Sequence, residues 1–148
     1  MDLIDLRALA IPVYDGDLEQ ASGLPAGVKS LKERIAAAQG VLLATPEYNH
    51  SIPGGLKNAL DWVSRPPNNP LRDKCVALMG ASNGMAGTLR VNYALRPVLS
   101  AAGSWLLPGY VGIPNAAQAF DESGNLKEEL FRKQLEAHVK TLVDRIRG

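Results

Sequence analysis

The sequence predicts an α/β protein built on a parallel β-sheet. Short apolar runs with the composition of buried strands alternate along the chain with longer segments whose apolar residues recur at helical spacing. This alternation is typical of βαβ units. The chain has 148 residues, of which 46% are hydrophobic and 21% charged, and it contains no internal repeat or linker. Residues 1–148 are therefore expected to form a single domain with a sizeable core.

The first predicted strand is Leu3–Leu6. A turn-rich connection rich in glycine and proline follows it. Apolar residues at helical spacing then predict a helix that Gly40 ends, and the strand Val41–Ala44 comes directly after it. The residues that carry this helical pattern are Val28, Leu31 and Ile35. The next helix follows a proline and glycine stretch, and its stripe is made by Leu56, Ala59, Leu60 and Val63.

The second half of the chain continues the same alternation. Cys75–Met79 is predicted to be a strand, and the helix after it contains Pro97, which is expected to kink or restart it. Trp105–Leu107 is predicted to be the fourth strand. After a turn at Asp121–Asn125, an amphipathic helix from Leu126 to Arg147 closes the chain.

The composition excludes several classes of protein. A net charge of +1 counts against a nucleic-acid binder, which needs clustered basic residues, and against an acidic electron carrier. No apolar run reaches the ~20 residues of a membrane span, and no signal peptide opens the chain. The single cysteine, Cys75, is expected to be a buried small hydrophobe and fits a reducing compartment. The sequence therefore predicts a cytoplasmic protein that binds neither nucleic acid nor membrane.

The most informative segment is residues 45–62, which read TPEYNHSIPGGLKNALDW. The segment follows the predicted strand Val41–Ala44, and open α/β sheets bind ligands at the carboxyl ends of their strands. Tyr48 can stack on a flat ring, and Asn49 offers both a donor and an acceptor. The backbone amides of Glu47, Tyr48 and Asn49 can also donate to the edge of such a ring. These features suit a flat heteroaromatic ligand; the alternative is an ordinary loop in which Ser51 caps the next helix.

A second glycine-rich loop, Gly80–Thr88, follows the predicted strand Cys75–Met79. Its G-x-x-x-G-x-x-G spacing matches neither the dinucleotide fingerprint nor the nucleotide-triphosphate loop, and by itself such a segment is usually a simple turn. No His, Cys or carboxylate residues have metal-ligand spacing, so no metal site is predicted. His50 is either an exposed loop residue or a contact for a nicotinamide, and His138 is expected to be exposed or half-buried on the last helix.

The pattern Pro-Glu-Tyr-Asn-x-Ser-x-Pro-Gly, followed by Leu-Lys-Asn-Ala-x-Asp-Trp, closely resembles the signature of the NADPH-dependent FMN reductase family. The resemblance implies a flavodoxin-like three-layer sandwich, FMN and NADPH as cofactors, and flavin sites at the subunit contacts of a homodimer or homotetramer. It implies no catalytic acid or base, because the flavin carries the chemistry. Glu47 is also a candidate for a structural role. The implied cofactor-binding residues are Pro46, Glu47, Tyr48 and Asn49 at one edge of the flavin and Ser82, Gly84 and Gly87 at the other.

The resemblance also implies that an N-terminal βα unit is missing. Members of the family begin with a strand and a Gly-Ser-Leu-Arg-x-Gly-Ser-x-Asn loop that wraps the FMN phosphate, and no such sequence occurs here. The absent strand would lie between Leu3–Leu6 and Val41–Ala44, which leaves an apolar strand edge. Three outcomes are open: Leu3–Leu6 pairs directly with Val41–Ala44, a second subunit fills the gap, or the sequence is an internally started or trimmed version of a longer protein.

The resemblance implies that hydride passes from NAD(P)H to FMN and that electrons then leave to a small-molecule acceptor. The acceptor would be a quinone, an azo compound, a metal oxyanion or free flavin. Without the phosphate loop, the alternative is a flavin-poor, non-catalytic module that associates with itself or with longer relatives. A flavodoxin-type electron carrier is a lesser alternative, against which the near-neutral charge counts.

Overall fold

The computed structural model describes residues 1–148, in which helices and strands alternate as expected. The strands are β1 Gly40–Ala44, β2 Cys75–Ala81, β3 Trp105–Leu106 and β4 Val111–Ile113. A 3₁₀-helix spans Leu6–Leu9, and the α-helices are α1 Gly16–Ser22, α2 Ala26–Ala37, α3 Gly54–Val63, α4 Leu89–Ala101, α5 Ala116–Ala119 and α6 Glu129–Arg147. No helix combines the length and the apolarity that crossing a lipid bilayer requires.

All strand pairs are parallel, as predicted, and β2 is the central strand. On one side β2 pairs with β1 over five residues, from Gly40 opposite Cys75 to Ala44 opposite Met79. On its other side β2 pairs first with β3 and then, nearer its carboxyl end, with β4. The outer edge of β1 is unpaired. The carboxyl ends of β1, β2 and β4 therefore lie along one edge of the sheet.

Helices cover both faces of the sheet, which confirms the three-layer arrangement. Val76 and Leu78 of β2 point into a cluster of eleven buried residues to which α2, α3 and α4 all contribute. Ala77 lies between them in sequence and faces the opposite side, where it packs against Leu142 of α6. This alternation follows from the two-residue period of a strand.

The segment Leu3–Leu6 is not a strand, so this prediction was wrong. The Asp5 carboxylate accepts a hydrogen bond from the Arg7 amide and caps the 3₁₀-helix that begins at Leu6. The residues before it are held by Arg34 of α2, which donates to the Asp2 carboxylate and to the Leu3 carbonyl at 2.9 Å. Of the three outcomes left open, direct pairing of this segment with β1 does not occur.

Other elements differ from the prediction or refine it. The turn-rich connection contains the short helix α1, because the Asp15 carboxylate caps its first amides. Of the kink or restart expected at Pro97, the restart does not occur, and α4 continues through this residue as one element. The predicted strand Trp105–Leu107 ends at Leu106, and the sequence prediction overlooked β4. The closing helix begins at Glu129, three residues later than predicted.

His138 of α6 and Cys75 of β2 are both half-buried. This agrees with the prediction for His138, whereas Cys75 is less buried than predicted. The Nε2 atom of His138 is buried and has no hydrogen-bond partner. Burial lowers the pKa of His138 below its ordinary 6.5; the Leu78 carbonyl opposes this shift and the Arg96 guanidinium adds to it. The folded state therefore favours a neutral imidazole at this position.

The free energy of unfolding should fall as the pH drops below about 6.5, because the unfolded chain then binds a proton at His138 that the folded chain resists. We expect His138→Gln to make the decrease between pH 7 and pH 5 shallower. Urea denaturation at several pH values measures the slope. Gln134→Ala, at an exposed residue of the same helix that carries no titratable group, is the control and should keep the wild-type slope. An unchanged slope in His138→Gln would show that His138 is not the cause of the lower stability at low pH.

Candidate functional site

The second half of the 45–62 segment forms a structural clamp. Asn58 of α3 donates to the Pro12 carbonyl at 2.8 Å and accepts from the Tyr14 amide at 2.8 Å. Trp62, which is fully buried, donates from Nε1 to the same Pro12 carbonyl at 2.9 Å. The rings of Tyr14 and Trp62 meet edge to face at 4.9 Å between centroids. These contacts leave Asn58 and Trp62 unavailable to a ligand and fix the N-terminal segment beside α3.

The first half of the segment forms an exposed tight turn. Tyr48 and Ser51 exchange two backbone hydrogen bonds, of 3.2 and 2.9 Å, and Asn49 and His50 lie between them. Both central residues have positive φ values, 48° for Asn49 and 62° for His50. This is the dihedral signature of a two-residue hairpin turn, in which asparagine at the first central position is favoured. The turn holds the Tyr48 and Asn49 side chains at the surface.

The hydrogen bonds of the turn decide which groups are available to a ligand. The Tyr48 amide donates to Ser51, so the prediction that this amide faces a bound ring was wrong. The backbone amides of Glu47 and Asn49, and the side-chain amide of Asn49, form no hydrogen bond within the protein. The Tyr48 side chain is 61% exposed. The turn therefore offers an aromatic face, two backbone donors and one side-chain amide.

Glu47 points the other way, towards α4. Its Oε2 accepts hydrogen bonds from the Arg90 amide at 2.9 Å and the Val91 amide at 3.2 Å. Its Oε1 lies 3.4 Å from Nη1 of Arg90 and 3.7 Å from Nδ1 of His50. Burial raises the pKa of Glu47, but the bonds from Val91 and Arg90 outweigh it, so the pKa lies below its ordinary value. The carboxylate is therefore held in its charged form, as expected of a structural residue.

The second loop, Gly80–Thr88, lies beside the first. The Thr45 amide donates to the Met79 carbonyl at 3.0 Å. A Cβ atom at Gly80 would lie only 1.9 Å from the Thr45 carbonyl oxygen, so only glycine permits this approach of the two strands. The two loops are therefore close to each other because backbone contacts hold the ends of β1 and β2 together.

The three predicted residues of this loop differ in their surroundings. Ser82 accepts a hydrogen bond from the Gly84 amide through its Oγ at 3.1 Å, and both residues lie at the accessible side of the loop. Gly87 has a φ of 58°, and a Cβ atom there would meet the Gly112 backbone at 3.2 Å, so its glycine is required for packing against β4. The loop also has backbone amides without a partner in the protein, those of Asn83, Met85 and Ala86.

A third segment, which the sequence prediction missed, closes this edge of the sheet. The Ser82 amide donates to the Ile113 carbonyl at 3.0 Å, and the Ala116 amide donates to the Ser82 carbonyl at 3.1 Å. The Asn83 side chain accepts from the Ala117 amide at 2.9 Å. The start of α5 is therefore tied to the second loop. The short strand β4 gave no clear sequence signal for this arrangement.

Exposed apolar side chains surround the candidate site. Leu89 and Tyr93 lie four residues apart on α4 and are 37% and 65% exposed, while Met85 in the second loop is 91% exposed. Together with Tyr48 they make four large apolar or aromatic groups that are exposed on the two loops and the first turns of α4. Clusters of exposed apolar groups of this kind are typical of ligand or subunit contacts.

The chain is similar in sequence to known oxidoreductases. Residues 1–118 match the family model described as NADPH-dependent FMN reductase. The chain is 52% identical over 100 residues to an Escherichia coli quinone reductase, covering 67% of this chain and 53% of that protein. It is 44% identical over 153 residues to an NAD(P)H-dependent FMN reductase of Pseudomonas aeruginosa, covering 100% of this chain and 80% of that protein.

A solved structure is also similar. The flavoenzyme NAD(P)H:(acceptor) oxidoreductase FerB from Paracoccus denitrificans superposes with a TM-score of 0.81 at 34% identity, covering 96% of this chain and 78% of that chain. The similarity confirms the flavodoxin-like expectation for the fold. The chain spans about half the length of the E. coli quinone reductase that it matches.

Asn58→Ala should destabilise the protein by about 1–3 kcal/mol, because it leaves the Pro12 carbonyl with fewer donors and the Tyr14 amide without an acceptor. Urea denaturation of the purified chain measures this loss. The matched control is Asn68→Ala, at an exposed asparagine that makes no hydrogen bond within the protein, and it should change the midpoint very little. Equal midpoints for both variants would show that the clamp contributes nothing.

Proposed function

Because the chain belongs to the NADPH-dependent FMN reductase family, we propose that it is an FMN-dependent NAD(P)H oxidoreductase. Hydride would pass from NAD(P)H to FMN, and electrons would pass on to a quinone, azo, metal-oxyanion or flavin acceptor. E. coli and P. aeruginosa relatives carry the names quinone reductase and FMN reductase, which supports this reaction class. Residues 1–148 would act as a single flavodoxin-like domain.

The free hydrogen-bond donors of the two loops are the observation that carries the proposal. An isoalloxazine ring presents carbonyl oxygens and ring nitrogens along its edge, and these groups need N–H donors. The backbone amides of Glu47 and Asn49 on one loop, and of Asn83, Met85 and Ala86 on the other, have no partner within the protein. Because the two loops begin side by side, these donors suit the two edges of one flat ring. The residues present therefore fit FMN at its ring.

Bound FMN would supply the hydride chemistry, and the protein would supply binding and orientation. Tyr48 would cover part of the ring, and Asn49 would use its side-chain amide at the ring edge. Pro46 would fix the entry of the loop, while Ser82 and Gly84 would bound the pyrimidine edge. Gly87 would act indirectly, through its packing against β4. Glu47 would not serve as a general base, since its carboxylate already accepts two amides of α4.

The exposed aromatic and apolar groups next to the loops support an assembly. Tyr48, Leu89 and Tyr93 would be covered by another copy of the chain in a homodimer or homotetramer, with the flavin at the subunit contact. The single cysteine is consistent with a cytoplasmic protein.

A second candidate function is a flavin-poor module that only associates. It is favoured by the charges at the site, because the Arg90 guanidinium at the start of α4 is already paired with the Glu47 carboxylate. This arginine is therefore less available to neutralise the FMN phosphate. Charge-assisted hydrogen bonds contribute about 1.5–3 kcal/mol each, so affinity for FMN depends on whether such contacts form.

Titration with FMN and with riboflavin, which has the same ring without the phosphate, distinguishes the two functions. Visible absorption and quenching of flavin fluorescence report binding to the purified chain. A perturbed flavin spectrum with NAD(P)H oxidation supports the reductase. A folded chain that perturbs neither flavin supports the module. Equal affinities for the two flavins would mean that only the ring is recognised.

Asn49→Ala should weaken FMN binding about fivefold, which corresponds to the loss of one hydrogen bond of about 1 kcal/mol. The flavin titration measures this change. Because Asn49 has a φ of 48°, alanine there strains the turn, whereas Asn49→Gly removes the same side-chain amide without that strain; Asn49→Gly should therefore show the same loss of affinity with an unfolding midpoint close to that of the wild type. Asn68→Ala is the matched control and should bind FMN as the wild type does. Unchanged FMN affinity in Asn49→Ala would remove this residue from the site.

A further inference from the structure

The N-terminus of α4 is capped from a distant part of the chain. Its own N-cap residue, Thr88, makes no side-chain cap hydrogen bond. The Glu47 carboxylate takes this place and accepts the Arg90 and Val91 amides, which are 43 and 44 residues away in sequence. The Glu47 side chain is only 7% exposed. A buried carboxylate at a helix N-terminus is favoured by the helix dipole and by the unpaired amides of the first turn.

The residues that follow Glu47 are in a costly conformation. Asn49 and His50 both have positive φ values, which residues other than glycine adopt rarely, although asparagine tolerates them better than histidine. This conformation persists only where the surrounding structure determines it. The turn is closed at its base by the two bonds between Tyr48 and Ser51, and the residue before it is fixed on α4 by Glu47. These two attachments hold the turn.

We infer that the side chain of Glu47 positions the flavin-binding turn through α4 and does not itself contact the flavin; of this residue only the backbone amide faces the ring. Its carboxylate binds the helix that the second loop leads into, so it fixes the first loop relative to the second. The Arg90 guanidinium, 3.4 Å from Oε1, is a secondary support. The expected effect of Glu47 on flavin binding rests on the proposed function. The geometry of the turn itself is independent of any ligand.

Hydrogen exchange of the protein without flavin tests the geometry. In Glu47→Ala, the hydrogen-bonded backbone amides of Tyr48 and Ser51 should exchange at least tenfold faster, while those of Val76–Leu78 in β2 keep the wild-type rate. Glu47→Gln keeps one acceptor oxygen and should be intermediate. If Glu47→Ala does not fold, Glu47→Gln alone decides the question. Wild-type exchange at Tyr48 and Ser51 in every folded variant would overturn the inference.

FMN titration of the same variants tests the consequence. Glu47→Ala should bind FMN at least tenfold more weakly, Glu47→Gln should be intermediate, and Arg90→Ala should lose less because its backbone amide remains. Leu99→Val, in the fully buried core of α4, is the stability control and should bind FMN as the wild type does. Equal losses in Leu99→Val and Glu47→Gln would show a merely structural role and overturn the inference. If the wild type binds no flavin, the proposed function fails, and the exchange rates alone still decide the role of Glu47.

Discussion

The parallel pairing of β1 with β2 is the constraint on which the candidate site depends. Five residue pairs, from Gly40–Cys75 to Ala44–Met79, set the two strands in register, and the Thr45 amide extends the ladder by one bond. At the next step Gly80 lies so close to Thr45 that any side chain would force the backbones apart. The two loops therefore begin side by side before any ligand is present. Their relation is a property of the sheet.

The residues of the 45–62 segment have two separate roles. Its last residues face inward, where Asn58 and Trp62 bind the backbone at Pro12 and Tyr14. Its first residues form a turn that exposes an aromatic ring and unpaired amides. Buried amide and indole groups must find partners, and the N-terminal segment supplies them. The second half of this motif therefore stabilises the fold, and only its first half leaves groups available to a ligand.

The elements predicted correctly are those that a short stretch of sequence identifies by itself. Val41–Ala44 and Cys75–Met79 are continuous apolar runs, which buried parallel strands require, and Leu56–Val63 has a clear helical stripe. Leu3–Leu6 carries a similar apolar signal but does not pair with the free edge of β1, and Asp5 caps a 3₁₀-helix there instead. Within the site, sequence identified the exposed Tyr48 and Asn49. The partners of Glu47, 43 and 44 residues away on α4, depend on tertiary structure that no local pattern encodes.

The charges at the site explain why loop conformation matters for its proposed role. The cations closest in sequence to the loops already have partners: Arg90 binds Glu47, and Lys57 lies 2.6 Å from Asp61. Free recognition groups are therefore mostly backbone amides, whose direction is set by φ and ψ and not by side-chain rotation. A flexible lysine can follow a ligand that shifts, whereas a backbone amide cannot. Selection of a flat neutral ring edge thus requires a rigid turn, and rigidity at Asn49 and His50 requires the attachment of the loop to α4.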